Sequence, residues 1–264
     1  MTLNVLICTI NEGILKVPDV LLSPVEGIFW VVSMQYSDKQ YLDLVPAELK
    51  SRSDVILTYL EGRGLSRNRN NAIDHSTGDI LLMGDDDCRY TESALLEVIR
   101  FYEINPSYDI VFFAAADYGG MPLKYYPSTL LSFQQAFKEG FYPASVELSM
   151  RRGLGLHFDT RFGLGSSLLC AGEEDIFIHD ALRAGYNVVV YPMTVVCTDR
   201  NTTGSRFLSD RQVQITKGAV FRYLFGTPEA VWRSVKEAGF YFVHHHVNPL
   251  PILYNMLRGI WMLR

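Results

Sequence analysis

The apolar positions of this chain fall first into short runs and later into longer helical spacings. Leu3–Cys8 is an apolar run that ends at Thr9-Ile10-Asn11-Glu12-Gly13, which reads as a buried strand entering a loop. Ile28–Met34, Asp54–Leu60, Asp79–Met83 and Asp109–Ala114 read as four further strands. Helical patterns lie between them. Ile14–Leu22 carries one, weakened by Pro18. Ser66 can cap a second, which turns Ala72 and Ile73 inward and stops at Gly78. Thr91 or Glu92 opens a third, through Tyr102. Strands alternating with helices over the first 115 residues predict a mostly parallel sheet with helices on both faces. Ligands bind such sheets beyond the carboxyl ends of the strands, where Thr9, Gln35 and Asp85 all fall.

The stretch Asp117–Phe162 is rich in Gly, Pro and Tyr and shows no clear period. Gly172–Gly185 predicts a helix entered by Glu173-Glu174-Asp175, acidic residues suited to a first turn. Asn187–Tyr191 and Thr194–Cys197 read as strands, Ser209–Phe225 and Pro228–Ala238 as helices, with Pro228 at a first helical position. Residues 249–264 space Ile252, Met256, Ile260 and Trp261 as an amphipathic helix with Arg258 and Arg264. Such a helix either lies on an anionic membrane surface or packs against the catalytic domain or a second subunit. His244-His245-His246 points successive rings about 100° apart, so a shared metal is not expected.

Composition narrows the class. Of 264 residues, 48% are hydrophobic and 20% charged, which describes a folded globular chain without repeats. A net charge of −5 argues against nucleic acid as partner. The charge is uneven: Arg200–Arg264 carries nine Lys or Arg against three Asp or Glu, and the remainder is acidic. The four cysteines form no CxxC pair, and the apolar neighbours of Cys8, Cys170 and Cys197 predict buried thiols in a reducing compartment. No signal peptide and no apolar run of ~18 residues is read, so the expected location is cytoplasmic, peripheral on the inner membrane surface if the tail docks there.

Asp85-Asp86-Asp87 follows the apolar run Ile80–Met83. Three adjacent carboxylates at the end of a buried strand repel one another unless a cation intervenes. Mg²⁺ or Mn²⁺ favours oxygen ligands and leaves coordination positions for substrate phosphates. In an extended segment Asp85 and Asp87 share a side, so both can hold one metal, or one can hold it while the other holds a ribose.

Three pieces in order, Gly64-Leu65-Ser66-Arg67-Asn68-Arg69-Asn70-Asn71-Ala72-Ile73, Thr77-Gly78-Asp79-Ile80-Leu81-Leu82 and Asp85-Asp86-Asp87, closely resemble glycosyltransferase family 2, in its bacterial polysaccharide type. Gly172-Glu173-Glu174-Asp175 resembles a later acidic element of that family. The resemblance implies the glycosyltransferase-A fold, a Rossmann-like mixed central sheet flanked by helices. On this reading residues 1–205 are the catalytic domain, with 1–115 the nucleotide half and 116–205 the acceptor half, and 206–264 a C-terminal helical extension. It also implies a nucleoside diphosphate sugar donor, with UDP the commoner carrier, a glycan or lipid-linked acceptor, Mg²⁺ or Mn²⁺, and inversion of a hexosyl group. Asp85 and Asp87 would be metal and donor carboxylates, Asp175 the catalytic base, and Thr9, Asn11, Glu12, Gln35, Asp86 and Arg67 donor contacts. Arg63 could assist Arg67, while Arg69 would lie on a solvated helix face and Asn68 and Asn70 would cap or pack.

Two departures stand out. Many members end their second strand in an Asp, where this chain has Ser33-Met34-Gln35 with Asp38 beyond. Many also carry a late His near the metal, where this chain has Cys197-Thr198-Asp199, so Asp199 is the candidate replacement. The rival readings are a nucleotidyltransferase, which usually has a Gly-rich basic loop after its first strand, and a nucleotide-sugar-binding module without catalysis.

Overall fold

β1 (Leu3–Ile10) is buried up to Thr9 because it is paired on both sides, with β2 (Ile28–Tyr36) and with β4 (Ile80–Asp85), both parallel. β3 (Val55–Glu61) extends the parallel set beside β2. The structure is a computed structural model and describes residues 1–199 and 206–263. Its eight-stranded sheet runs β3-β2-β1-β4-β7-β5-β8-β6. β5 (Ile110–Ala116) and β8 (Val188–Cys197) are parallel. The sheet is mixed, not purely parallel. β7 (Leu148–Arg151) is antiparallel to both β4 and β5, and β6 (Leu131–Ser132) is antiparallel to β8 at the edge. Both come from the stretch with no readable period. Four and two residues are too few to display an alternation.

The helices follow the sequence reading closely. α1 (Ala47–Ser51) is short and was not foreseen. α2 (Leu65–Asp74), α3 (Glu92–Ile104) and α5 (Glu173–Arg183) fall where expected, and α4 (Phe133–Lys138) is added by a Ser132/Gln135 capping box. Thr91 caps α3 by accepting from Ala94 N at 3.2 Å. Ser66 does not cap α2: it lies inside the helix and donates to Phe162 O at 2.7 Å. Ile14–Leu22 is not an α-helix; Asn11–Asp19 forms 3-10 turns around Pro18. The two strands expected across 187–197 are one strand with irregular register between Phe112 and Ala114, near Pro192, which has no N–H to pair.

Contacts divide the chain into two units. The first, residues 1–63, 67–157 and 180–199, contains the whole sheet. Its core includes Trp30, Tyr102 and Phe113, each fully buried and each worth roughly 1.5–3 kcal/mol of transfer free energy. The second unit contains residues 64–66, 158–179 and 206–263. Residues 158–179, assigned above to the catalytic domain, thus group with the C-terminal helices.

In this second unit, α6 (Arg211–His245) breaks at Gly226, whose φ of 77° is non-helical, just before Pro228. The expected pair of helices is therefore present, joined at a sharp bend. Lys217, before the bend, pairs with Glu237 after it, so the two halves fold back on one another. α7 (Pro249–Met262) crosses α6 at two glycines. A methyl group on Gly218 would collide with the Met256 carbonyl, and one on Gly259 with the Ile215 carbonyl. Only glycine allows the two backbones to approach so closely.

Candidate active site

The parallel strands end in register. Cys8 pairs with Asp85, Ile10 with Gln35, and Tyr36 with Glu61, so the loops after β1, β2, β3 and β4 share one edge. α2 is pinned under that edge by polar bonds. Asn68 Nδ2 donates to Thr9 O at 3.0 Å and Ser33 O at 3.1 Å, and Ser33 Oγ donates to Asn68 Oδ1 at 2.6 Å. Asn71 Nδ2 donates to Ser33 Oγ at 2.8 Å and Thr58 Oγ1 at 3.1 Å. The packing role expected for Asn68 is the one observed.

The middle carboxylate of the acidic run faces inward. Thr9 Oγ1 donates to Asp86 Oδ2 at 2.5 Å. Burial raises the Asp86 pKa, opposed by the Thr9 bond and by Lys16. Gly13 is required at this spot, because any Cβ there would collide with Asp86 Oδ2 and Thr9 Oγ1. Thr9 and Asp86, both expected at the donor, are thus bonded to each other. Asn11, at φ 51°, clasps the next loop: Ser37 N donates to its Oδ1 at 2.9 Å and its Nδ2 donates to Ser37 Oγ at 3.1 Å. Glu12 stands beside Tyr41 and raises that phenol's pKa. Gln35 is 2% exposed, and its Nε2 finds no hydrogen-bond partner among the described residues.

Asp85 and Asp87 keep partial access to solvent. Cys88 N donates to Asp85 O at 3.2 Å, closing a turn, and Asp85 N donates to Cys88 Sγ at 3.3 Å. Burial pushes the Cys8 thiol up to about 12 and raises Cys88 as well, so both flanking thiols stay neutral. All four cysteines are free; Cys170 and Cys197 are half-buried, less enclosed than expected. The Asp87 carbonyl accepts from Tyr118 Oη at 2.6 Å.

Asp199 reaches the same neighbourhood through β8. Arg89 and Cys197 form an antiparallel bridge, with Arg89 N donating to Cys197 O at 2.8 Å and Cys197 N to Arg89 O at 2.9 Å. Asp87 precedes Arg89 by two residues and Asp199 follows Cys197 by two, and both stand near Tyr118. Both raise the Tyr118 pKa, after the larger effect of burial.

Arg69 is the residue the sequence reading misjudged. It is 3% exposed, not solvated. Its Nη2 donates to Ser145 Oγ at 2.5 Å and stands 3.9 Å from Asp85 Oδ1. Ser145 lies just before β7, in the stretch that showed no pattern, so nothing in the local sequence revealed this partner. Arg67 is exposed on the same helix, with Nη1 3.4 Å from Arg63 O. Asp175 is half-buried in the first turn of α5, in the second unit, between the buried Glu173 and the apolar Ile176–Ile178.

Among the described residues, no three His, Cys, Asp or Glu side chains group as a ready metal site. The donor set still suits a hard cation of the nucleotide-bound kind, which needs one or two carboxylates and takes its other oxygens from phosphate and water. All three carboxylates of the run are half-buried, and Asp86 is the one bonded to Thr9. His244, His245 and His246 are exposed. Phe240 packs against His244 at 4.4 Å between ring centroids.

Residues 36–163 match the model of glycosyl transferase family 2. That span contains α2, the acidic run, Tyr118 and Ser145. Solved structures agree over a longer stretch. S. aureus TarS residues 1–349 are 15% identical, with a TM-score of 0.59 over 98% of this chain and 81% of that one. The same fragment crystallised with UDP-GlcNAc gives 16% identity and a TM-score of 0.56 over 92% of this chain and 73% of that one. Against the longer S. aureus TarS chain the TM-score is 0.57 at 16% identity, covering 92% of this chain and 44% of that one. The chain thus spans less than half of that longer relative. No curated protein matches the sequence. The mixed sheet with its flanking helices is the glycosyltransferase-A fold that the family resemblance implied.

Proposed function

We propose that this protein is an inverting glycosyltransferase that moves a hexosyl group from a nucleoside diphosphate sugar to a glycan or lipid-linked saccharide. One observation carries the reading. The acidic run stands at the shared edge of β1, β2 and β4, inside the stretch that matches the family, and α2 supplies a buried arginine beside it. Solved TarS complexes with UDP-GlcNAc and with UDP support a uridine diphosphate donor.

Asp85 and Asp87 would hold Mg²⁺ or Mn²⁺, with Asp199 as the third candidate ligand. A cation bound there would supply charge neutralisation for the diphosphate. Arg67, exposed on α2, would pair with the same phosphates. Asp175 is the proposed base. A helix N-terminus favours its carboxylate form, the form that accepts a proton. In a single displacement Asp175 takes the acceptor hydroxyl proton and the acceptor oxygen bonds to C1. As that bond forms, the C1–O bond to the diphosphate breaks, and its electron pair leaves with the nucleoside diphosphate.

The deciding experiment is calorimetry with a panel of nucleoside diphosphates and their sugars, in Mn²⁺ and in chelator. Metal-dependent binding of one diphosphate, lost in Asp87→Ala, is the expected result. No binding to any diphosphate by folded protein would overturn the reading. Binding without turnover would favour the inactive module. The nucleotidyltransferase reading is weaker, because the turn after β1 carries Asn11 and Glu12 where a triphosphate would need glycines and cations.

A further inference from the structure

The apolar row expected on the C-terminal helix is already occupied. Ile252, Met256 and Ile260 are buried, and Ile252 and Met256 pack with Phe207, Val213 and Ala238 of the same unit. The apolar surface left open lies on the second half of α6. There Ala230, Ser234 and Ala238 are buried at steps of four, which fixes the inner face. Trp232, Lys236, Gly239 and Val243 recur at steps of four and three on the opposite side. At about 100° per residue they share one face. Trp232, Lys236 and Val243 are all exposed, with Val235 and Phe242 exposed at the edge of that face. α7 adds a second outward row in Leu250, Tyr254 and Trp261, with Arg258 among them.

Charge decides what such a surface fits. α6 and α7 carry six Lys or Arg but only two acidic residues, Glu229 and Glu237. Both acids are neutralised within the unit, Glu229 by Arg233 at 3.0 Å and Glu237 by Lys217. Lys236 and Arg258, within the two rows, have no acidic partner among the described residues. Because both acids are already paired, a second copy docked face to face would bring Lys236 no free acidic partner from these helices. Trp and Tyr rings settle at a bilayer–water boundary, and unpaired cations draw toward anionic headgroups. No helix of the described residues is long and apolar enough to cross a membrane.

We infer that the outer face of α6, centred on Trp232 and Val243 and carrying Lys236, is a docking surface for an anionic lipid bilayer. This does not depend on glycosyl transfer, and its test needs no substrate. The full chain is sedimented with vesicles of phosphatidylcholine alone and of phosphatidylcholine mixed with phosphatidylglycerol. The wild type binds the anionic vesicles, more weakly in high salt, and Trp fluorescence shifts blue on binding. Trp232→Ser combined with Val243→Ser lowers partitioning by on the order of 10-fold or more, with circular dichroism confirming the fold. Lys236→Glu, a single exposed change, lowers it in anionic vesicles. Equal partitioning of wild type and double variant overturns the inference. So does a wild type that binds neither vesicle, or light scattering that shows these substitutions dissolving a dimer instead.

Discussion

Thr9 donates its hydroxyl to Asp86 across 2.5 Å, although 77 residues separate them. The bond joins the ends of two adjacent strands, since β1 and β4 are neighbours in the sheet. It ties down the middle carboxylate of three half-buried ones.

Thr9→Val removes that donor and leaves a partly buried carboxylate without its closest partner. The expected loss of stability is about 1–3 kcal/mol, read by urea denaturation. Gly13→Ala should be at least as damaging, because its methyl group meets both members of the pair. An unchanged midpoint in both variants would show that the bond contributes nothing.

Arg69→Met leaves Asp85 without the buried guanidinium 3.9 Å away and Ser145 without its partner. A loss of about 3 kcal/mol is expected, together with weaker UDP binding in calorimetry. Arg69→Lys should not restore either, because the lysine stem ends one bond short of Nη2, the atom that makes both contacts. Full recovery by lysine would show that only charge matters.

Glu147 is fully buried, with Lys124 Nζ at 2.8 Å and the Tyr126 hydroxyl donating at 2.5 Å. Burial raises its pKa from 4.5 to about 7, against the opposing pull of Lys124. The folded state therefore holds a proton that the unfolded chain has released. This contribution to stability is fully present below the ordinary value of 4.5 and is lost as pH rises through about 7. Thermal melts across that window should show the decline in the wild type and a flatter profile in Glu147→Gln. Identical profiles would refute the assignment.

Gly218→Ala forces a methyl group into the Met256 carbonyl where α6 and α7 cross. A cost of at least about 1–3 kcal/mol is expected in denaturant unfolding. Gly239→Ala, in open space on α6, should be neutral or slightly stabilising by comparison. Equal effects at the two sites would mean the crossing is looser than it stands.

Much of this molecule was legible before any coordinates. The first five strands and three of the main helices follow from local period and punctuation, because strands buried on both faces read as unbroken apolar runs. The acidic run, the helix bearing Asn68 and the edge they share were visible for the same reason. Ser145, Glu147 and Lys124 were not. Each sits in the segment between Asp117 and Phe162, where short strands and turns leave no repeat to detect.

Sequence alone determined the alternation of strand and helix, the order of the motifs and the chemistry available at the strand ends. Those are local properties, set by side-chain period and by caps and breakers within a few residues. Only the tertiary structure decided which partners those residues took. It put Arg69 in the interior beside Asp85 and Asp86 against Thr9, and it turned Ile252, Met256 and Ile260 inward while leaving Trp232 and Phe242 outside. Helical period defines a face, but what covers that face depends on segments far along the chain, which a local pattern does not encode.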